Sequence, residues 1–303
     1  MDYSSPQKPE VSIIIPLYNK ESSIKSTIES VLNQTYKNFE VIVLNDGSTD
    51  GSLNIVRSIV DPRIRIIDKA NEGVSRTRNR GVEDSSADLI AFLDADDTMC
   101  PDCIQFLMNL KDAFPDCDLW AGRFANVYEG KVVSYFGSLD YGRVKHPHRA
   151  WFFEKWQIRT GNFIMTKKSF LELGGFSTII SVGEDLILFD EFLARYTAAY
   201  TPQITMEYLQ DNRALSTGGK PIKNLSSNYF SFKNKNIWQK LIYSQIILKN
   251  ILSNAPHGRF DTTKAYVKKY KFWIMLGFIA MLLNMPTLLR KVLRGGGYKL
   301  SKV

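Results

Sequence analysis

Cysteine is scarce in this chain: three in 303 residues, at positions 100, 103 and 117. Three thiols cannot close a paired extracellular framework, which points to a reducing compartment. Cys100-Pro101-Asp102-Cys103 spells a C-x-x-C, but no second pair exists to complete a zinc site. The plainer reading is a helix start with Pro101 at its first position and Cys103 facing the core. There is no G-x-x-x-x-G-K-S/T loop, and no G-x-G-x-x-G follows the first apolar run. ATPases and dinucleotide dehydrogenases therefore lack their phosphate cradles here. The opening Met1-Asp2-Tyr3-Ser4-Ser5-Pro6 lacks the basic-then-apolar layout of a signal peptide, so a cytoplasmic location is expected. Long apolar runs are missing too. Phe272 to Leu283 spans 12 residues, short of the roughly 20 needed to cross a bilayer.

Acid is nearly absent from the last third. From Arg213 to Val303 there are 17 Lys/Arg against one acid, Asp261, giving +16, whereas residues 1–212 carry −8. A tail so lopsided favours an anionic partner. No nucleic-acid module accompanies it, so nucleic acid is not expected and an anionic membrane surface is. Lys268, Lys269 and Lys271 precede the apolar block, and Arg290, Lys291 and Arg294 follow it. That layout fits an in-plane or re-entrant membrane contact, on the inner face of the cell membrane, or else a core helix.

What is present is an alternation. Val11-Ser12-Ile13-Ile14-Ile15, Glu40-Val41-Ile42-Val43-Leu44, Ile64-Arg65-Ile66-Ile67 and Leu89-Ile90-Ala91-Phe92-Leu93 read as buried strands. Helical spacing separates them, at Ile24, Ile28, Val31 and Leu32, and at Leu53, Val56 and Ile59. The pattern predicts an α/β fold with a mostly parallel sheet and helices on both faces. Ligands of such sheets bind beyond the carboxyl ends of the strands. Residues 163–200 read as helical around a Gly174-Gly175-Phe176 break, Gly218-Gly219-Lys220-Pro221 as a linker, and 237–252 as an amphipathic helix. The expected organisation is a domain at 1–217 and a helical, basic C-terminal region at 218–303.

The candidate chemistry lies just past the strand ends. Asp94-Ala95-Asp96-Asp97 puts three carboxylates in four residues. They repel one another and are costly to bury unpaired, unless a divalent cation sits among them. Oxygen ligands suit Mg²⁺ or Mn²⁺ with positions open to substrate phosphates; an acidic turn is the alternative. Asp46 can accept the ring N–H of a nucleobase, or simply build an Asx turn in Asn45-Asp46-Gly47-Ser48. Arg76 and Arg78 sit in a polar helix between strands three and four, facing a nucleotide or solvent, with Arg78 the better candidate. Glu184-Asp185 is the candidate base for an acceptor hydroxyl, or an acidic pair favoured at a helix N-terminus.

In order along the chain, Val11–Asn19 with Glu21, Asn45-Asp46-Gly47-Ser48-Thr49-Asp50, and Asp94-Ala95-Asp96-Asp97 together resemble family 2 glycosyltransferases. Asn71, Gly73, Arg78 and Asn79 match the intervening segment, and Gly174-Gly175-Phe176 with Glu184-Asp185 the acceptor side. The likeness covers about residues 9–200. It implies the GT-A fold, which is Rossmann-like and shared by nucleotide-diphospho-sugar transferases. It also implies an inverting hexosyl-type transfer from a nucleoside-diphosphate sugar, UDP-sugar favoured, assisted by Mn²⁺ or Mg²⁺. By position, Asp46 contacts the base, Asp94 the ribose, Asp96 the metal, and Asp185 is the general base. Pro16, Tyr18, Glu21 and Arg78 belong to the donor site. The acceptor would be a saccharide or lipid-linked saccharide in bacterial-type surface-polysaccharide assembly (O-antigen, capsule or exopolysaccharide). A non-catalytic nucleotide-sugar or carbohydrate-binding protein of the same fold is the competing reading. Two departures stand out. No Q-x-x-R-W stretch or series of long apolar helices is present, which sets the chain apart from processive cellulose and hyaluronan synthases. Gln210-Asp211-Asn212-Arg213 stands where the family often has a His near an Arg-rich loop.

Overall fold

The computed structural model describes residues 8–153, 156–180, 183–209, 230–254, 267–281 and 283. One sheet organises the chain, in the order β3-β2-β1-β4-β9-β6-β10-β5. Its first half comprises β1 (Val11–Leu17), β2 (Phe39–Asp46), β3 (Ile64–Lys69) and β4 (Leu89–Phe92), all parallel. The second half is β5 (Thr98–Met99), β6 (Leu119–Tyr128), β9 (Phe163–Thr166) and β10 (Ala198–Leu209). β9 runs antiparallel to both β4 and β6, while β6 and β10 are parallel. β7 (Lys131–Phe136) pairs with β6, and β8 (Gly142–Arg143) with β10. The α/β sheet with two covered faces is therefore present, with a four-strand parallel run from β3 to β4 and a second parallel pair, β6 with β10, beyond the antiparallel β9.

Period-two alternation divides the core. Ile13, Ile15, Val41 and Val43 face α1 (Ile24–Leu32), α2 (Ser52–Ser58) and α4 (Cys103–Ala113). Ile14, Ile42 and Leu44 face the other way, into a cluster shared with α3 (Val74–Glu83), α5 (Pro147–Phe152), α6 (Lys167–Glu172) and α7 (Glu184–Arg195). Each side chain is buried on alternate faces, as a strand pleat requires.

Two expectations need correction. The stretch 163–200 is not helical throughout: it opens with β9 and its last residues enter β10. Phe163-Ile164-Met165 is too short an apolar run for periodicity to separate strand from helix. Pro101 is not the first helical residue either. Asp102 is the N-cap of α4, which starts at Cys103, and that thiol is fully buried as expected. The linker at 218–221 and the segment 210–213 lie outside the described residues.

The C-terminal region is helical where described: α8 (Ile237–Asn254) and α9 (267–281). They join Phe152 of α5 in a third apolar cluster. A buried polar hub pins this cluster to α7. The Asp190 carboxylate, 1% exposed, accepts from Lys235 Nζ at 2.7 Å, Gln239 Nε2 at 3.0 Å and Tyr243 Oη at 2.5 Å. His148 Nε2 lies 3.3 Å from it. Burial pushes the carboxyl up, but bonds from His148, Lys235, Tyr243 and Gln239 outweigh it and hold it at about 2, against an ordinary 3.8. A carboxyl depressed in the fold stabilises it above the unfolded value and loses that contribution as pH falls toward the folded one. Stability owed to Asp190, on the order of 2 kcal/mol, should therefore disappear between about pH 4 and pH 2. Paired urea melts of wild type and Asp190→Asn check this: the gap present at neutral pH should close across that acid window.

Candidate active site

The carboxyl ends of β1, β2 and β4 open onto one edge, where the loops that follow them are bonded together. Asn19 Oδ1 accepts the Thr49 N–H at 2.8 Å, and Glu21 Oε2 accepts the Gly51 N–H at 2.8 Å. Glu21 thus ties the loop after β1 to the residue preceding α2. Pro16 is half-buried within β1, and Tyr18, just beyond it, is 47% exposed. Gly47 lets the loop after β2 turn at φ +72°. A Cβ there would fall 2.9 Å from the Asn71 nitrogen, so this position needs glycine.

Asp46 ends β2 almost fully buried. Its Oδ1 accepts the Glu72 N–H and its Oδ2 the Gly73 N–H, both at 2.9 Å, and Lys69 pairs with it as well. Burial raises its carboxyl, but Lys69, the Glu72 amide and Thr77 overcome that and lower it. The residue is a carboxylate that binds the 70–73 loop to the sheet. The Glu72 and Gly73 amides, Lys69 and Thr77 take up most of its acceptor positions.

The acidic turn after β4 separates into three different environments. Asp94 Oδ1 accepts from Arg78 Nη2 at 2.6 Å, and its Oδ2 from Thr160 Oγ1 at 2.9 Å. Arg78 is 4% exposed and extends its Nη1 to Glu184 Oε1 at 2.9 Å. One buried guanidinium therefore joins the end of β4 to the first residue of α7. Burial works against the charge on Asp94, yet Arg78 and Thr160 win and lower it. Glu184 goes the other way: burial and the charge of Asp185 raise it beyond what Arg78 recovers. Asp97 is buried, and desolvation plus the charges of Asp94 and Asp96 push its carboxyl well above the ordinary range. It accepts the Leu209 N–H at 3.2 Å, a structural task that ties the turn to β10.

Asp96 is part-exposed, as Asp94 is (33% and 32% of the side chain), and Lys20 Nζ rests 2.5 Å from its Oδ2. Among the described residues no three His, Cys, Asp or Glu side chains converge on a metal cage. One part-exposed carboxylate that already attracts a cation does fit a hard divalent ion completed by a diphosphate and water. Asp185, next to Glu184 in the first turn of α7, is half-buried. Its carboxylate accepts only the Leu186 N–H, at 2.8 Å, among the described residues.

The edge thus collects Asp94, Asp96, Arg78 and the Glu184-Asp185 pair. Asp46 stands at the end of the neighbouring β2, and Tyr18 and Glu21 on the loop after β1. Arg76 is a solvated side chain, 4.0 Å from Glu72. Lys20, Lys69 and Thr160 are not marked as site residues by the sequence, nor is Arg159, whose guanidinium lies 3.7 Å from the Tyr208 ring centre, helps lower Asp94 and partly offsets the rise at Asp97. Lys20 lies inside the Tyr18–Glu21 run, so its place at this edge has a local signal. Thr160 meets Asp94 across 66 positions, and no local pattern signals that.

Residues 12–174 match the sequence model for Glycosyl transferase family 2. The chain belongs to that family. It is similar to the glycosyltransferase GlyA of Streptococcus pneumoniae serotype 4, 35% identical over 132 residues, covering 43% of this chain and 19% of that protein. A hyaluronan synthase of Pasteurella multocida is 31% identical over 164 residues, covering 50% of this chain and 17% of the synthase. The separation drawn from hyaluronan synthases therefore needs correction. Missing processive motifs and apolar helices say nothing of the family domain, which that synthase shares. The chain spans less than a fifth of either relative. In structure it resembles S. aureus TarS 1-349, solved in complex with UDP-GlcNAc, with a TM-score of 0.57 and 18% identity, over 80% of this chain and 66% of that one. At that identity the likeness establishes the fold, which is GT-A. No helix among the described residues is long and apolar enough to cross a membrane.

Proposed function

We propose that this family 2 chain transfers one sugar from a nucleoside-diphosphate sugar, UDP-sugar favoured, to an acceptor hydroxyl with inversion. The observation that carries the reading is the Asp94–Arg78–Glu184 bridge, because it ties the first residue of α7, the sequence neighbour of Asp185, to the turn after β4. Asp185 takes the acceptor O–H proton as that oxygen attacks the anomeric carbon, and the bond from that carbon to the diphosphate oxygen breaks on the opposite face. Asp94 has acceptor capacity left for the ribose hydroxyls. Asp46 presents what remains of its carboxylate to the base, and Tyr18, beside Pro16, offers its exposed ring to the nucleotide. Mn²⁺ or Mg²⁺, held by Asp96 and the diphosphate, would neutralise charge on the leaving nucleotide. A UDP-GlcNAc complex of the structural neighbour supports the nucleotide choice. The acceptor is a saccharide or lipid-linked saccharide used in surface-polysaccharide assembly at the inner face of the cell membrane, a reading supported by the +16 tail.

Thermal shift with UDP-, GDP- and dTDP-sugars, with and without Mn²⁺, tests the donor assignment. At about 100 times Kd a bound ligand adds ~2.7 kcal/mol, a rise of roughly 5–10 °C for a domain of this size. The rise should follow UDP-sugar with Mn²⁺, and Asp96→Ala should lose the metal-dependent part. A non-catalytic binding protein would show the shift and no turnover against any acceptor.

A further inference from the structure

Helix α9 has two apolar faces, and the fold uses one. Tyr270, Trp273, Gly277 and Ala280 pack inward: Phe232 stacks on Trp273 at 3.7 Å, and Gln245 Nε2 donates to the Ala280 carbonyl at 3.0 Å. The approach is close enough that a Cβ on Gly277 would fall 2.5 Å from the Ser244 carbonyl oxygen. On the opposite side, at helical spacing, Phe272, Met275, Phe278, Ile279 and Leu283 are 60%, 57%, 53%, 44% and 53% exposed. Five large apolar side chains within 272–283 form a contiguous stripe, which water alone does not justify. Lys268 and Lys271 stand exposed on the same side, at its N-terminal end.

We propose that this stripe is a docking face for an anionic lipid bilayer, with α9 lying in the interface plane. It deepens the preceding reading, which places transfer beside a membrane, by giving that contact its residues. Charge decides the occupant. The region from Arg213 carries +16 with a single acid, so a second copy would bring lysine against lysine. The segment 284–303 holds Arg290, Lys291, Arg294, Lys299 and Lys302 and no acid, so it offers no complement to Lys268 and Lys271. Anionic headgroups do complement them, and the acyl boundary takes the apolar side chains. The apolar run is too short to span, so the helix enters only as far as its exposed stripe.

Vesicle flotation of the full chain tests this, using phosphatidylcholine alone or mixed with phosphatidylglycerol. Wild type should float with the mixed vesicles and not with phosphatidylcholine alone, and added salt should weaken the binding. Phe272→Ser with Phe278→Ser should lower partitioning about tenfold or more, with an unchanged melting temperature and UDP affinity. Should that pair fail to fold, Lys268→Glu with Lys271→Glu keeps the test decisive, because it should abolish the preference for phosphatidylglycerol. Wild type that floats with neither vesicle overturns the proposal, as does either folded variant that floats like wild type. A lipid-free wild-type dimer that the serine pair dissolves would instead identify a second copy as occupant and overturn it. UDP affinity is read in the same preparations: its absence would count against the donor reading while leaving the vesicle result standing.

Discussion

Replacing Asp185 with asparagine is expected to cut turnover by about 10²–10⁴-fold while leaving UDP affinity within a factor of about two. The substitution keeps the shape and removes the proton acceptor. Asp185 is suited to the role because its neighbour takes the structural load. Glu184 is bonded to Arg78, so Asp185 need only be placed, half-exposed, with one short bond to its own helix. Glu184 also carries a carboxyl raised by burial, and its bond to Arg78 makes it the positioning group of the pair. Single-turnover kinetics with preloaded donor, together with calorimetric UDP titration, separates loss of chemistry from loss of binding. Wild-type turnover by folded Asp185→Asn would remove that residue from the mechanism.

The second large effect belongs to Arg78. Its side chain is buried against Asp94 and Glu184, and the Phe176 ring lies beneath it with its centroid 5.1 Å from the guanidinium. Arg78→Met fills the volume but leaves the nearly buried Glu184 carboxylate, and the part-exposed Asp94, without their shared cation. Breaking a fully buried pair costs about 3–5 kcal/mol, and because water reaches Asp94 the loss expected here is at the lower end of that range. Urea unfolding at neutral pH should report that loss. The pH dependence carries the signature. Without the guanidinium, the stranded carboxyls have folded pKa values above their unfolded ones, so acidification neutralises them and the gap to wild type should narrow as pH falls. Arg78→Lys should recover only part of the loss, since an ammonium cannot hold both carboxylates in a planar fork. A variant as stable as wild type across that range would mean the bridge does not hold α7 in place.

The parts of this structure that sequence reading reached are those with local causes. β1, β2 and β4 are β-branched or apolar runs that end abruptly at polar motifs, so both the strands and the edge carrying Asp46 and Asp94 were legible. β9 was not, because its four residues carry no periodicity that a helix would lack. The site divides along the same line. Asp94-Ala95-Asp96-Asp97 is conspicuous as a turn, but nothing in it reveals that Asp97 is buried and bonded to β10 while Asp96 meets Lys20. Arg78 could be singled out, yet its contact with Glu184 spans 106 positions and exists only once α3 and α7 pack on the same face. Asp190 interrupts the apolar stripe of α7, and its partners lie on α5, on α8 and just before α8. A lone buried acid hints at a distant partner without naming it.

Proton NMR of the first product formed from a UDP-sugar of α configuration reads the displacement at the anomeric carbon directly. On the proposed mechanism, with the acceptor oxygen deprotonated at Asp185 and the diphosphate leaving from the opposite face, the product is β-linked. An α-linked product from the same donor would contradict that arrangement, since no single in-line attack across this site retains configuration.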